Sequence, residues 1–350
     1  MTVWRSDSYQ EDVARVANMA IDWTQFQAAT VLLSGASGMI GSFLVDVLMV
    51  RNRDHATNCT VKAVARNAAA MRQRFAHWAG DEHLKLIPAD VCSGGLRGES
   101  ADFVIHAAGN THPVAYATDP VGTIMTNVQG TYAMLDLAVA ARARRFVFVS
   151  TVEIYGENSA GERPFREDDM GYIDCNTLRA GYPESKRAGE ALCQAFATSG
   201  GLQVVIPRLP RVFGPTVRPD DTKAISQFLQ RAVDGCDIVL KSDGTQLYSY
   251  CYVADAVSAI LTCLTAGQPG QAYNVAHPSC DVRLRDLAGR VARAAGTNVV
   301  FDVPGEVERR GYSAATVAVM DGTKIAGLGW VPQWDIDAGI AHTVAALKCV

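Results

Sequence analysis

The chain is expected to be an α/β protein with a Rossmann-type doubly wound parallel sheet and a smaller C-terminal α/β substrate-binding lobe. Three observations carry this. Apolar strand-like runs alternate with helical patterns from about residue 30 to 215. A glycine-rich turn, Gly35-Ala36-Ser37-Gly38-Met39-Ile40-Gly41, follows the first of those runs. The last third is irregular, without a repeat or a low-complexity linker, which fits a second lobe packed on the first.

Taken in order, residues 1–29 form an N-terminal helical extension, with Val13, Val16, Met19 and Ile21 roughly on one face. "TVLLSGASGMIGSFLVDVLM" is a buried strand, a turn and a helix. "TVKAVAR", "LKLIPADV" and "ADFVIHAAG" supply the next three strands. "PVGTIMTNVQGTYAMLDLAVAARA" is a long helix, followed by the strands "RFVFVST" and "LQVVIPRLPRVFG". Such alternation implies parallel strands joined by right-handed crossovers. The dinucleotide-binding domain is expected at 30–207 plus about 250–276, and the substrate lobe at 208–249 and 277–350.

Composition excludes several classes. Of 350 residues, 49% are hydrophobic and 19% charged, a globular balance. Net charge is −4, the pI is near 6.0, and no basic run marks a nucleic-acid surface. No apolar run has the length of a membrane span, and the polar start "MTVWRSDSYQEDVARV" is not a secretory signal. The nine cysteines, an odd number with no Cys-x-x-Cys, read as reduced thiols of a cytoplasmic protein without a bound metal.

The glycine turn points to a dinucleotide. Glycines allow a tight turn and close backbone approach to a pyrophosphate, and the following helix start offers free N–H groups. Gly35, Ser37, Gly38, Met39, Ile40 and Gly41 are the residues so placed. An NAD site usually carries an acid after the second strand to hold the ribose 2′-hydroxyl. Here Ala65-Arg66-Asn67 stands in its place. Arg66 suits a 2′-phosphate, so NADP is favoured over NAD. Asp90-Val91, after the third strand, is placed to meet the adenine, or to serve as a turn.

"GYPESK" sets Tyr182 four residues before Lys186, on one helical face. A nearby positive charge favours the phenolate. Together with "SGASGMIGSFLVD", "PADV", "DFVIHAAG", "TNVQGT", "FVFVSTVEIYG", "RLPRVFGP", "DGTQ", "YVADAVSAI" and "YNVAHP", this order of motifs resembles the extended short-chain dehydrogenase/reductases. More narrowly, the chain resembles the NAD(P)-dependent nucleotide-sugar epimerase/dehydratase family over residues 30–345. The resemblance implies that Tyr182 is the acid/base and that Lys186 lowers its pKa and holds the nicotinamide ribose. Thr151 would bond the reacting sugar hydroxyl or ketone, and Asn127 would stand behind the site. Ala107, Ala108 and Gly109 would line the cofactor. The substrate implied is a nucleotide-diphosphate sugar, and the assembly a homodimer joined through helices near 122–142 and 180–198.

Departures from the family are as telling. In Ser150-Thr151-Val152-Glu153, the glutamate matches the base of the 4,6-dehydratases, while Val152 replaces their proton-donating aspartate. Valine donates no proton, so epimerisation is favoured. Dehydration or decarboxylation of the same substrates, and NADPH-dependent carbonyl reduction, are the alternatives. Arg211 stands where relatives often carry asparagine, and Tyr248 lies in "GTQLYSY", where the arginine of Gly-x-x-x-Arg-Asp-Phe is lost. The charge is expected to have moved to Arg211, helped by Arg310, facing a diphosphate or a carboxylate.

Overall fold

Eight parallel strands form the first sheet, seven in the order β11-β7-β5-β4-β1-β2-β3 and the eighth, β6, paired to β7. They are β1 Thr30–Ser34, β2 Thr60–Ala65, β3 Leu84–Pro88, β4 Phe103–His106, β5 Arg145–Phe148, β6 Ser150–Thr151, β7 Val204–Leu209 and β11 Gln271–Asn274. This computed structural model describes residues 3–109, 111, 118–159, 161–302 and 316–350. The register runs Val31↔Phe103 on one side of β1 and Val31↔Val61 on the other. The sheet therefore reverses its winding at β1 and β4, and a crevice opens beyond their carboxyl ends. Strands β1, β4 and β5 are nearly continuous apolar runs because helices cover both faces.

The helices of this layer are α2 Met39–His55, α3 Ala68–Arg74, α4 Pro120–Ala140 and α5 Gly181–Gly200. Asp119 caps α4 by accepting the Gly122 N–H at 2.9 Å, and Pro120 opens it where no N–H is needed. Gly189 of α5 lies on Phe148, since a Cβ there would come within 2.5 Å of the ring.

The second lobe begins two residues after β7. Its main sheet joins β8 Arg211–Phe213, β10 Leu247–Tyr252, β12 Asp281–Arg283 and β14 Val317–Ala318. A smaller one pairs β9 Ile238–Leu240 with β13 Val299–Phe301. Around them lie α6 Ala224–Val233, α8 Leu284–Ala295, α9 Thr323–Ala326 and α10 Ile336–Leu347. Between the two β-layers in sequence, α7 Val253–Ala266 returns the chain to β11 and the first sheet.

The N-terminal segment is built into the fold. Helix α1, Asp7–Ala17, buries Tyr9, Asp12, Val13 and Val16. Met19 and Ile21 lie beyond it, because Asn18 ends the helix and its side chain donates to the Ala14 carbonyl. Tyr9 donates to Asp46 of α2 at 2.5 Å, and Arg74, His77 and Trp78 complete that buried carboxylate's shell. On the other side, Asp12 accepts from Tyr252 at 2.6 Å and from Trp334 at 3.0 Å, and lies 2.9 Å from His342 Nδ1. One short helix thus ties the first layer to the second lobe.

Candidate active site

The crevice at the carboxyl ends of β1 and β4 widens into a cleft of about 1100 Å³ between the two lobes. Its first wall is the glycine turn. Gly35 has φ +74°, and a Cβ there would stand 2.6 Å from the Ala107 carbonyl oxygen. Gly41 has no room either, with the Gly35 carbonyl oxygen 2.3 Å from where its Cβ would be. Helix α2 starts at Gly38 with no side-chain cap and no acid in its first turn. Its leading N–H groups are thus left to a ligand, and the positive helix end suits a pyrophosphate. Met39, Ile40, Ala107, Ala108 and Gly109 line the same wall. These residues fit a dinucleotide cofactor.

Tyr182 and Lys186 apart, the remaining residues expected to hold the cofactor do not line the cleft. Ser37 is half-buried and Arg66 is exposed at the end of β2. Asp90 accepts the Cys92 N–H at 2.8 Å, a turn contact. Val91 packs on Gly130 of α4, whose Cβ would come within 2.8 Å of it. Asn127 is wholly buried behind the site. Its Nδ2 donates to Ser185 at 2.9 Å, while its Oδ1 has no partner and would lie 2.9 Å from a Cβ on Gly109.

The second wall carries Tyr182 and Lys186, the pair expected to serve as acid/base. Tyr182 and Lys186, one turn apart at the start of α5, are 5% and 4% exposed. Tyr182 is hydrogen-bonded to Thr151. Lys186 Nζ donates to the Val149 carbonyl at 2.9 Å and lies 4.7 Å from the centre of the Phe148 ring. Burial lowers its pKa to about 8. The Tyr182 phenol moves the opposite way to the expectation from sequence. Burial, then the Glu153 carboxylate, push it well above its ordinary value, against the Thr151 hydrogen bond and the Arg179 charge. Desolvation disfavours the charged form of both partners, which spacing alone does not reveal. His106, fully buried below, bonds Ser34 at 2.6 Å and is driven to about 3 by burial and the Lys186 charge, so it stays neutral.

Glu153 sits on a 3₁₀ turn, Val152–Tyr155, whose start is capped by Thr151. Arg179 bonds Glu153 Oε2 at 2.6 Å. Sequence reading missed this arginine. Its signal was a cation one turn ahead of Tyr182, a spacing with no meaning until the 3₁₀ turn Leu178–Ala180 is seen to lead into α5. Val152 is 5% exposed and lines the cleft with no polar atom on its side chain. Arg187 fixes this corner by donating to the carbonyls of Ile154 at 2.7 Å and Gly171 at 2.8 Å. Arg208 supports it from beneath, with both Glu190 oxygens at 3.0 and 2.7 Å and the Tyr155 hydroxyl at 2.9 Å.

The third wall belongs to the second lobe. Arg211 lies flat on Tyr248, its guanidinium carbon 3.4 Å from the ring centre. Lys223, Arg231 and Lys241 line this half as well, none of them singled out by motif. Arg310 lies outside the described residues. Among the described residues, no group of three or more His, Cys, Asp or Glu is placed to hold a metal ion. All nine cysteines are free thiols, and no described helix is long and apolar enough to cross a membrane.

Comparison with known proteins agrees with this geometry. Residues 31–276 match the model of the NAD dependent epimerase/dehydratase family. UDP-glucuronic acid decarboxylase 5 of Arabidopsis thaliana is 32% identical over 315 residues, covering 89% of this chain and 86% of that protein. Among solved structures, a dTDP-glucose 4,6-dehydratase from Streptomyces venezuelae with NAD bound superposes with a TM-score of 0.75 at 26% identity, over 91% of this chain and 96% of that one. The epimerase Mth375 of Methanothermobacter thermautotrophicus shares the fold, with a TM-score of 0.80 at 20% identity over 94% of this chain and 95% of that one.

Proposed function

The chain belongs to the NAD dependent epimerase/dehydratase family, and we propose that it epimerises a nucleoside-diphosphate sugar at a carbon beside a transient ketone. The observation that carries this reading is the Thr151–Tyr182–Glu153 corner with Val152 beside it. Thr151 holds the reacting hydroxyl, and Tyr182 takes its proton as the carbon is oxidised. When bound, the nicotinamide supplies reversible hydride acceptance. Glu153 then removes the proton from the carbon next to the ketone, reprotonation from solvent on the opposite face inverts that carbon, and reduction of the ketone by the same hydride, with Tyr182 returning its proton, restores the hydroxyl of the epimer. Expulsion of a 6-hydroxyl needs a proton donor near it, which the Val152 side chain does not provide.

Decarboxylation is a second reading, favoured by Arg179. Arg179 lines the cleft beside Glu153, and a 4-keto uronate loses carbon dioxide without an acid at C6. The 32%-identical relative is a decarboxylase by name. Arg66 is proposed to favour NADP, which binding of both cofactors to the wild type and to Arg66→Ala would check.

The deciding experiment incubates the protein with a panel of nucleotide sugars and NAD or NADP, and follows mass and ring couplings. Unchanged mass with altered couplings supports epimerisation. Loss of carbon dioxide or of water overturns it in favour of the corresponding lyase. Stoichiometric consumption of NADPH would instead make the protein a reductase. Tyr182→Phe should lower turnover by roughly 10²–10⁴-fold, the range for a general acid/base.

A further inference from the structure

Helix α5 holds the segment around β6 by three side chains, and two of them are the expected acid/base pair. Tyr182 bonds Thr151, and Lys186 Nζ donates to the Val149 carbonyl at 2.9 Å. One turn further along, Glu190 Oε1 accepts the Ser150 hydroxyl at 2.6 Å. Positions i, i+4 and i+8 of one helix thus hold the three consecutive residues 149, 150 and 151. Strand β6 is two residues long, with Ser150 level with Arg208 of β7 and Thr151 level with Leu209. So short a strand has few ladder bonds to fix it, and side-chain ties must supply the rest.

Glu190 is itself fixed. Its side chain is 13% exposed, and Arg208 donates to its two oxygens at 3.0 and 2.7 Å. Arg208 also donates to the Tyr155 hydroxyl at 2.9 Å and to the Glu167 carbonyl at 2.7 Å. Charge gives Glu190 a second link to the site. Lys186 is faced from β4 by His106, which burial keeps neutral, and from β5 by the Phe148 ring. On its own helix, burial pushes both Tyr182 and Cys193 up, so neither carries a charge. Glu190, paired to Arg208 of β7, is left to offset the burial that lowers Lys186.

We infer that Glu190 is a positioning residue: it seats Thr151 through Ser150 and supplies the buried counter-charge for the Lys186 ammonium. The inference rests on the reading of Tyr182, Lys186 and Thr151 as the acting groups.

Two variants separate the seat from the charge. Ser150→Ala removes one hydroxyl and leaves every charge in place. Glu190→Gln removes the charge and keeps an acceptor for Ser150. In single turnovers with the panel of nucleotide sugars, followed at the reduced-nicotinamide band, Ser150→Ala should slow hydride transfer by about 10-fold or more, as expected for a slightly misplaced reacting group. Its binding of NAD and NADP should stay within about 3-fold of wild type.

A second readout needs no substrate. Stability relative to Lys186→Met should begin to rise at about pH 8 in the wild type and in Ser150→Ala. On the Glu190→Gln background the rise should begin about one pH unit lower, because an unsupported ammonium gives up its proton sooner. If Glu190→Gln alone does not fold, the same measurement is made with Arg208→Gln added, which removes both members of the buried pair. Unchanged hydride transfer in folded Ser150→Ala overturns the seating of Thr151. An unchanged onset without the Glu190 charge overturns the counter-charge. Lost stability with rate and onset both unchanged makes Glu190 a merely structural residue and overturns the inference. If the wild type reduces no cofactor with any sugar of the panel, the nucleotide-sugar reading falls. The onset then decides the inference by itself: a lowered onset supports it and an unchanged one overturns it.

Discussion

Arg179 and Glu153 meet at 2.6 Å, the arginine leading into the catalytic helix and the glutamate on the turn after Thr151. The pair acts on Tyr182 with opposite signs: the carboxylate raises the phenol's pKa and the guanidinium lowers it. Glu153 therefore opposes ionisation of the tyrosine proposed to act first. Arg179 offsets that effect while bonding Glu153 Oε2.

Glu153→Gln consequently has two separable effects. Loss of the negative charge should move the pH limb of hydride transfer to lower pH, since the phenol ionises more readily. Exchange of solvent deuterium into the carbon beside the ketone should fall by roughly 10²-fold or more, as expected for loss of a general base. Single-turnover absorbance of the reduced nicotinamide reads the first, and mass spectrometry of the product reads the second. Equal loss of both steps would remove Glu153 from its proposed role.

Lys186 has a stability signature. Its folded pKa is about 8, below the value of roughly 10.4 for an unfolded lysine. Between these values the unfolded chain binds more protons, so stability relative to Lys186→Met should rise with pH. The slope has an upper limit of about 1.4 kcal/mol per pH unit, and the difference should be flat below pH 8. Urea melts of both proteins across that range provide the check.

Asp12 should be a stability determinant far from the cleft. It is 2% exposed and serves Tyr252, Trp334 and His342. Asp12→Ala leaves these buried polar groups without their acceptor and should cost about 2–4 kcal/mol, with Asp12→Asn milder. Thermal and urea unfolding measure it. A loss below about 0.5 kcal/mol would mean that α1 is only a surface helix.

The homodimer proposed from family resemblance has a surface to test. On α4, Val121, Met125, Tyr132 and Val139 are 69%, 44%, 51% and 37% exposed, at spacings that repeat along one helical stripe. Met125→Glu with Tyr132→Glu should convert a dimer into a monomer in sedimentation experiments. A monomeric wild type would dispose of the proposal.

Much of the fold was legible because its signals are local. Continuous apolar runs, the glycine turn after β1 and the i, i+4 spacing of Tyr182 and Lys186 each lie within one element, where period and sterics dictate the outcome. The parallel sense of the first strands follows from alternation and handed crossovers, while their 3-2-1-4-5 order is read from the structure. Gly35, Gly38, Met39, Ile40 and Gly41 of the glycine turn therefore line the cleft as the sequence led one to expect, and Thr151, Glu153, Tyr182 and Lys186 line it with them. Asp90 and Val91 also sit beside β3 as expected, but in turn and packing contacts that motif spacing does not distinguish from ligand contacts.

By itself, then, the sequence determined the parallel sheet, the glycine turn after β1 and the one-turn spacing of Tyr182 and Lys186. Tertiary structure alone decided what surrounds them. Arg179 meets Glu153 across 26 residues, and Asp12 meets Tyr252 across 240 and His342 across 330. Arg211 finds Tyr248 only because β8 and β10 lie side by side. Such pairings depend on loop closure and lobe packing, not on any local period. The direction of the Tyr182 shift has the same origin, since desolvation is a property of the assembled core.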